Sequence, residues 1–220
     1  MNLLLNSVVE LFNNHKKSLC LTLYGGIVLA GLRYHPGSFP WKYTLWHCLW
    51  LLILPLIMIK FLFRDKFSMW GITMGKVNLG WKWVFIFYLL MLPLLIIASF
   101  RKEFRYTYPL YPPATASWKI FIEYQLCYGL YMFCWEFFFR GFLLYGYKSE
   151  LGKGAAIFLQ TFPFIFMHLG KPELEVYSST VAGILLGLLA LETESMFYPF
   201  LVHYFISLTM DLLVVIKFFL

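Results

Sequence analysis

Long apolar blocks separated by short polar segments make up most of the chain. A helix crosses a bilayer with about 20 consecutive, mostly apolar residues. Seven segments reach or approach this length, at residues 18–34, 42–63, 81–99, 118–146, 154–169, 176–191 and 196–219. The pattern therefore predicts an all-α fold, a polytopic transmembrane helix bundle of about seven or eight spans.

The segments between these blocks set the expected organisation. The apolar positions within Met1–Asn14 suit a helix lying on the membrane surface or an eighth, partial span. Glycines in the segment Arg64–Gly80 and prolines in Arg101–Ser117 indicate two interfacial loops. We divide the chain into N-terminal helices and loops, residues 1–117, and a helical core, residues 118–220, within one integrated membrane domain.

The composition supports a membrane protein. Apolar side chains make up 61% of the residues and charged ones only 13%, against about 25% charged in a soluble domain. The mean hydropathy is +0.72. The net charge of +7 comes from Lys and Arg next to apolar blocks, as expected beside lipid head groups. The lipid bilayer is thus an expected partner, and nucleic acid is not.

A few ionisable residues fall within the apolar blocks. Such groups cost from about 2.5 kcal/mol upward near the bilayer centre, so they usually face the bundle interior and mark function. Glu136 and Arg140 stand four apart, on one helix face, and can pair. An ion pair alone explains only mutual neutralisation, but histidines on two further predicted spans favour a reactive site. The set comprises His47, Glu123, Glu136, Arg140, His168, His203 and Asp211.

Two kinds of chemistry fit these residues. A carboxylate and imidazoles can deprotonate a water molecule and stabilise an oxyanion in a dry site. Glu136, His168 and His203 are also suitable ligands for a divalent metal such as zinc. The residues leave both alternatives open, so the expected cofactor is either none or such a metal. No His-Glu-x-x-His zinc motif is present, and Asp65, in a loop, cannot form a membrane aspartate pair with Asp211.

Three sequence blocks carry a family resemblance. They run from Trp135 to Gly141, from Phe164 to His168 and from His203 to Ser207. Their order and spacing resemble the CAAX prenyl protease 2 and bacteriocin-processing family (CPBP, also called Abi) of intramembrane proteases. The family pattern is Glu-Glu-x-x-x-Arg, then Phe-x-x-x-His, then His-x-x-x-Asn or Asp.

The resemblance implies a function and a role for each matching residue. It implies an endopeptidase that cleaves a membrane-anchored or lipid-modified protein or peptide, with residues 118–220 as the catalytic core. A carboxylate and His168 would activate the attacking water, His203 would hold the oxyanion, and Arg140 would orient the carboxylate. The expected location is a bacterial cell (inner) membrane.

Two positions depart from the family pattern. The first glutamate of the pair is Trp135 here, which leaves only Glu136. Neighbouring helical residues point about 100° apart, so Glu136 cannot take the position of its predecessor without a rotation of the helix. Ser207 stands where Asn or Asp is usual and reaches less far. Asp211, one turn later, and Glu175 are possible supporting carboxylates.

Two other functions remain as alternatives. Trp135 and Ser207 favour a non-catalytic protein of the CPBP fold that binds a peptide or a membrane partner, as an immunity or chaperone protein does. A small transporter can use the same buried Glu, Arg and His as a relay. The absence of an internal sequence repeat argues against the transporter.

Overall fold

The fold is helical throughout the part of the chain that the structure describes. The structure is a computed structural model, and it describes residues 10, 14–35 and 40–219. No strand occurs among these residues. The interfacial helix predicted for residues 1–14 lies, apart from Glu10 and Asn14, outside the described residues.

Most helices follow the predicted apolar blocks to within a few residues. The exception is the predicted pair 118–146 and 154–169, because the helix that ends at His168 already begins at Leu144. In chain order they are α1 (Lys16–Tyr34), α2 (Trp41–Phe63), α3 (Val77–Ala98), the short α4 (Lys102–Thr107), α5 (Trp118–Glu136), α6 (Leu144–His168), α7 (Glu173–Thr193) and α8 (Phe197–Phe219). A π-helical segment, Phe137–Leu143, joins α5 to α6 without a turn in the chain. Two 3₁₀ turns, Phe67–Trp70 and Pro112–Thr115, interrupt the connecting loops.

Four of these helices are long and apolar enough to cross a membrane. They are α2, α3, α7 and the Phe197–Lys217 part of α8. The chain is therefore an integral membrane protein, while the total of seven or eight spans stays a prediction. Helix α5 is less apolar because it carries Glu123, Gln125 and Glu136.

Helix α6 bends where the sequence predicts a boundary between two spans. Gly152 has φ 81° and ψ 171°, which no residue within a regular helix adopts. Glycine takes this positive φ without the steric cost that a side chain would add. The break separates the end of the α5–α6 run from the part of α6 that ends at His168.

Stacked aromatic rings form the centre of the core. The phenylalanines of the π-helical segment are fully buried. Trp70, in the loop predicted to be interfacial, is also buried, and its ring stacks on Phe142 with centroids 5.6 Å apart. The loop between α2 and α3 is thus anchored in the core by its tryptophan.

A glycine lets α3 pack against the start of α8. A Cβ atom added to Gly80 would overlap the ring of Tyr198. That ring is held in place, because its hydroxyl donates a hydrogen bond to the carbonyl oxygen of Met74 at 2.8 Å. The close approach of the two helices therefore requires glycine at position 80.

We expect Gly80→Ala to destabilise the fold, since overpacking a tight contact costs about 1–3 kcal/mol. The matched control is Gly26→Ala in α1, where an added Cβ meets no atom within 4 Å. Thermal unfolding in detergent should show a lower midpoint for Gly80→Ala and an equal or slightly higher one for Gly26→Ala. Equal midpoints for the two variants would contradict the packing described here.

Candidate active site

A fully buried carboxylate forms the centre of the polar cluster in the core. Glu136, the last residue of α5, pairs through Oε1 with Nη1 of Arg140 at 3.3 Å. The same oxygen lies 2.6 Å from Nδ1 of His203 on α8. The i, i+4 spacing survives the change from α to π helix, so the side chains of Glu136 and Arg140 still meet. The cluster joins α5 and the π-helical segment to α8.

The Arg140 guanidinium group is paired with Glu136 and also contacts an aromatic ring. Its guanidinium carbon lies 4.0 Å from the centroid of the Phe164 ring, a cation–π geometry. Nε and Nη2 of Arg140 and Oε2 of Glu136 have no hydrogen-bond partner among the described residues. Buried polar groups are normally satisfied, and exceptions are typical of functional sites.

The second histidine reaches the same region from α6. Nδ1 of His168 lies 2.8 Å from the carbonyl oxygen of Phe164. A carbonyl oxygen only accepts, so Nδ1 carries the proton and Nε2 remains an acceptor. The His168 and His203 rings are 6.4 Å apart at their centroids and inclined by 23°. Phe164 packs against both rings.

A cavity of about 320 Å³ opens beside the two histidines. Its walls come from helices α1, α2, α5 and α8, from the end of α6 with the loop that follows it, and from Leu110 in the loop before α5. Among the described residues, no aspartate or glutamate lines it. Its polar and aromatic walls come from Arg33, Tyr43, His47, Tyr128, Tyr131, Trp135, His168, Lys171 and His203.

Comparison with known proteins places this region in a protein family. Residues 115–209 match the family model described as type II CAAX prenyl endopeptidase Rce1-like. This part of the chain is thus similar to a family of CAAX prenyl endopeptidases. The matched region runs from the 3₁₀ turn before α5 into α8 and contains every residue of the buried cluster. Searches of curated proteins and of solved structures found no match.

The tryptophan that departs from the CPBP pattern faces the cavity. Trp135 lines it, with its ring 6.4 Å from that of His168, whereas Glu136 points away into the protein interior. This difference follows from the helical step of about 100° between neighbouring residues. An indole therefore occupies the place where the CPBP pattern has its first glutamate.

The other departure from the CPBP pattern lies one turn further along α8. The Ser207 side chain lies close to that of Tyr128, a residue that lines the cavity. Asp211 belongs to a separate contact between α8 and α5, where its Oδ2 accepts a hydrogen bond from Gln125 at 2.7 Å. The buried Asp211 carboxylate does not line the cavity.

Glu175 is engaged by its own partners beside the cavity. Its Oε1 lies 2.8 Å from Nζ of Lys171, and its Oε2 accepts a hydrogen bond from the Tyr108 hydroxyl at 2.5 Å. Burial and the Glu175 carboxylate hold the pKa of the Tyr108 phenol well above its usual value, so the phenol keeps the proton that it donates. Lys171 lines the cavity and Glu175 does not. Glu175 thus fixes a cation at the wall.

The residues predicted as metal ligands do not fit that role. Within residues 14–35 and 40–219, no group of three or more His, Cys, Asp and Glu side chains is arranged to hold a metal ion. The oxygen of Glu136 that faces His203 is already shared with Arg140, whose positive charge would repel a cation. We therefore derive no step through a metal.

The tyrosines of the cavity wall were missed by the sequence reasoning. Tyr128, Tyr131 and Trp135 follow one another at intervals of three and four, which places them on one face of α5. This spacing is the signal that could have found them. His47 was identified as a histidine in an apolar block. Its place in the same cavity as His168 could not be predicted from the sequence, because it depends on how the helices pack.

We expect Arg140→Met to destabilise the fold by about 3–5 kcal/mol, because it leaves the Glu136 carboxylate buried beside no permanent cation. The double variant Glu136→Gln with Arg140→Met removes both charges and should recover most of that loss. Unfolding of the detergent-solubilised proteins measures both values. A double variant no more stable than Arg140→Met would contradict a buried ion pair.

Proposed function

We propose that the chain is an intramembrane endopeptidase that hydrolyses a peptide bond in a membrane-anchored or lipid-modified protein or peptide. The observation that carries the proposal is the meeting of His168 and His203, from separate helices, at a cavity backed by the buried Glu136. The similarity of residues 115–209 to type II CAAX prenyl endopeptidases supports it. The proposed location is a bacterial inner membrane, as the resemblance implies.

The position of the cavity suits a substrate that enters from one membrane surface. Arg33 is exposed near the end of α1, and Lys171 lies in the loop between α6 and α7. Both cations line the cavity on the side where these helices end. Apolar and aromatic side chains make up most of the rest of the cavity wall. A peptide that leaves the bilayer here can present a bond to the histidines close to the surface.

The walls supply the groups that hydrolysis requires. An imidazole can accept a proton from water and return it to the leaving amine. Tyrosine hydroxyls and the Lys171 ammonium group can donate hydrogen bonds to the oxyanion that develops on the carbonyl oxygen. Burial of Glu136 and Arg140 behind this wall keeps their charges out of contact with substrate.

A non-catalytic peptide-binding protein is the second candidate, and Trp135 favours it. The indole fills the place of a carboxylate in the CPBP pattern and adds apolar contact area to the cavity. An aromatic side chain at that position is suited to hold a peptide without activating water.

We expect the purified protein in liposomes to cleave membrane-tethered peptides, and His168→Ala to lower kcat, because it removes a ring that lines the cavity beside His203. The control is Glu194→Gln, which changes an exposed ion pair with Lys76 outside the cavity and should leave the rate unchanged. Mass spectrometry of the products gives the cleavage site. Wild-type rates in His168→Ala would contradict the proposed site.

A chelator added to the same assay tests metal dependence. We expect phenanthroline to leave turnover unchanged, because the described residues offer no suitable ligand group. Loss of turnover that added zinc restores would contradict this part of the proposal.

Replacement of Trp135 separates the two candidate functions. For a peptidase, the wild type cleaves, and Trp135→Glu keeps or raises the rate because it adds a carboxylate to the cavity. If the chain is a binding protein, the wild type binds the peptide without cleaving it, and only the Trp135→Glu variant shows cleavage. Trp135→Gln, which has the same size as the glutamate variant but no charge, is the control for altered shape.

A further inference from the structure

We infer that His203 is the general base of the reaction and that Glu136 positions it, with no carboxylate in contact with the attacking water. The inference rests on the proposed function. It assigns His203 and the carboxylate roles different from those that the family resemblance implies.

The attacking water can reach His203 but not Glu136. Glu136 is fully buried, and no acidic side chain of the described residues lines the cavity. Water that attacks a bound peptide must stand in the cavity, so it cannot contact Glu136. The His203 side chain keeps 18% of its surface exposed and lines the cavity. Proton transfer from water therefore has to involve a side chain of the wall.

The His203 ring is held in one protonation pattern. Glu136, paired with Arg140, is held as a carboxylate and can only accept a hydrogen bond. Nδ1 of His203, 2.6 Å from this carboxylate, must therefore carry the proton. The opposite ring nitrogen, Nε2, is left with its lone pair. A carboxylate that holds an imidazole in this tautomer and orientation is the arrangement of the Ser-His-Asp triad.

The two histidines differ in the groups that can stabilise a positive charge on the ring. When an imidazole takes a proton, it becomes a cation that its surroundings must stabilise. His203 has the Glu136 carboxylate against its Nδ1, whereas His168 has only the backbone carbonyl of Phe164. Lys171, a cation, lines the same cavity as His168, and a positive charge nearby disfavours a second one on that ring. The geometry thus favours His203 as the group that becomes charged.

The reaction follows from this assignment. Nε2 of His203 removes one proton from water while the water oxygen bonds to the peptide carbonyl carbon and the carbonyl electron pair moves to oxygen. The tetrahedral intermediate then expels the amine as the C–N bond breaks, and the His203 imidazolium donates its proton to that nitrogen. The second water proton stays with the new carboxyl group. One water and one peptide bond yield one acid and one amine.

Chemical rescue tests the base assignment. We expect His203→Ala to lose about 10²–10⁴-fold in kcat, and added imidazole to restore at least a tenfold increase that depends on its concentration. The cavity of about 320 Å³ has room for one imidazole molecule. His168→Ala should show no rescue. Absence of rescue in His203→Ala, or an equal rescue of His168→Ala, would overturn the inference.

The positioning role of Glu136 has its own readout. We expect Glu136→Gln to lower kcat with little change in KM, because the residue acts through His203 and does not touch substrate. In the double variant Glu136→Gln with His203→Ala the loss should not exceed that of His203→Ala alone, since residues of one unit are not additive. Losses that multiply, or a wild-type kcat in Glu136→Gln, would overturn the inference.

The same assay separates failure of the inference from failure of the proposed function. Cleavage by the wild type with rescue only at position 168 overturns the inference and leaves the proposed function in place. Binding of peptide without cleavage by the wild type overturns the proposed function and the inference with it.

Discussion

The contact of one buried carboxylate with a guanidinium and an imidazole determines how this bundle is organised. Burying an unpaired charge costs several kcal/mol even after relaxation, so Glu136 has to be met by groups from its surroundings. Arg140 comes from the same helical run, and His203 comes from α8. The register of α8 against α5 is thereby restricted, because a shift of one residue would carry His203 away from Glu136.

Phe164 both packs in the aromatic core and contacts the charged and ionisable groups of the site. Phe164 contacts the Arg140 guanidinium and packs against the rings of both site histidines. It also supplies, through its backbone carbonyl, the acceptor that orients His168. The aromatic core is therefore the wall that holds the reactive groups in their places. The cavity therefore lies against a fully buried part of the aromatic core.

Parts of the site could be predicted from the sequence where an ionisable residue lies within an apolar block. Ionisable residues are rare in apolar blocks, and the pair Glu136 and Arg140 at helical spacing predicted the contact that the structure contains. The helix break near residue 152 was also expected from the change in hydropathy. The helical fold of the described residues follows directly from the apolar blocks, although only four of their helices qualify as membrane spans.

What the sequence could not predict depends on contacts between distant segments. The burial of Trp70 requires its stacking on Phe142, more than seventy residues later. The partners of Glu175 come from a loop sixty-seven residues away and from Lys171. The cavity itself arises only where six separate segments meet, so the absence of acidic residues from its lining could not be predicted from any one segment. Trp135 could be recognised as a departure, but its contact with the cavity required the orientation of α5.

Nitrogen-15 NMR of histidine-labelled protein in bilayers tests the central claim most directly, because it reports which ring nitrogen carries the proton. The account predicts that His203 is protonated at Nδ1 with a free Nε2 in the neutral state, and that Glu136→Gln shifts the His203 signals while leaving those of His47 in place. A His203 resonance that does not respond to Glu136→Gln would contradict the contact on which the account depends.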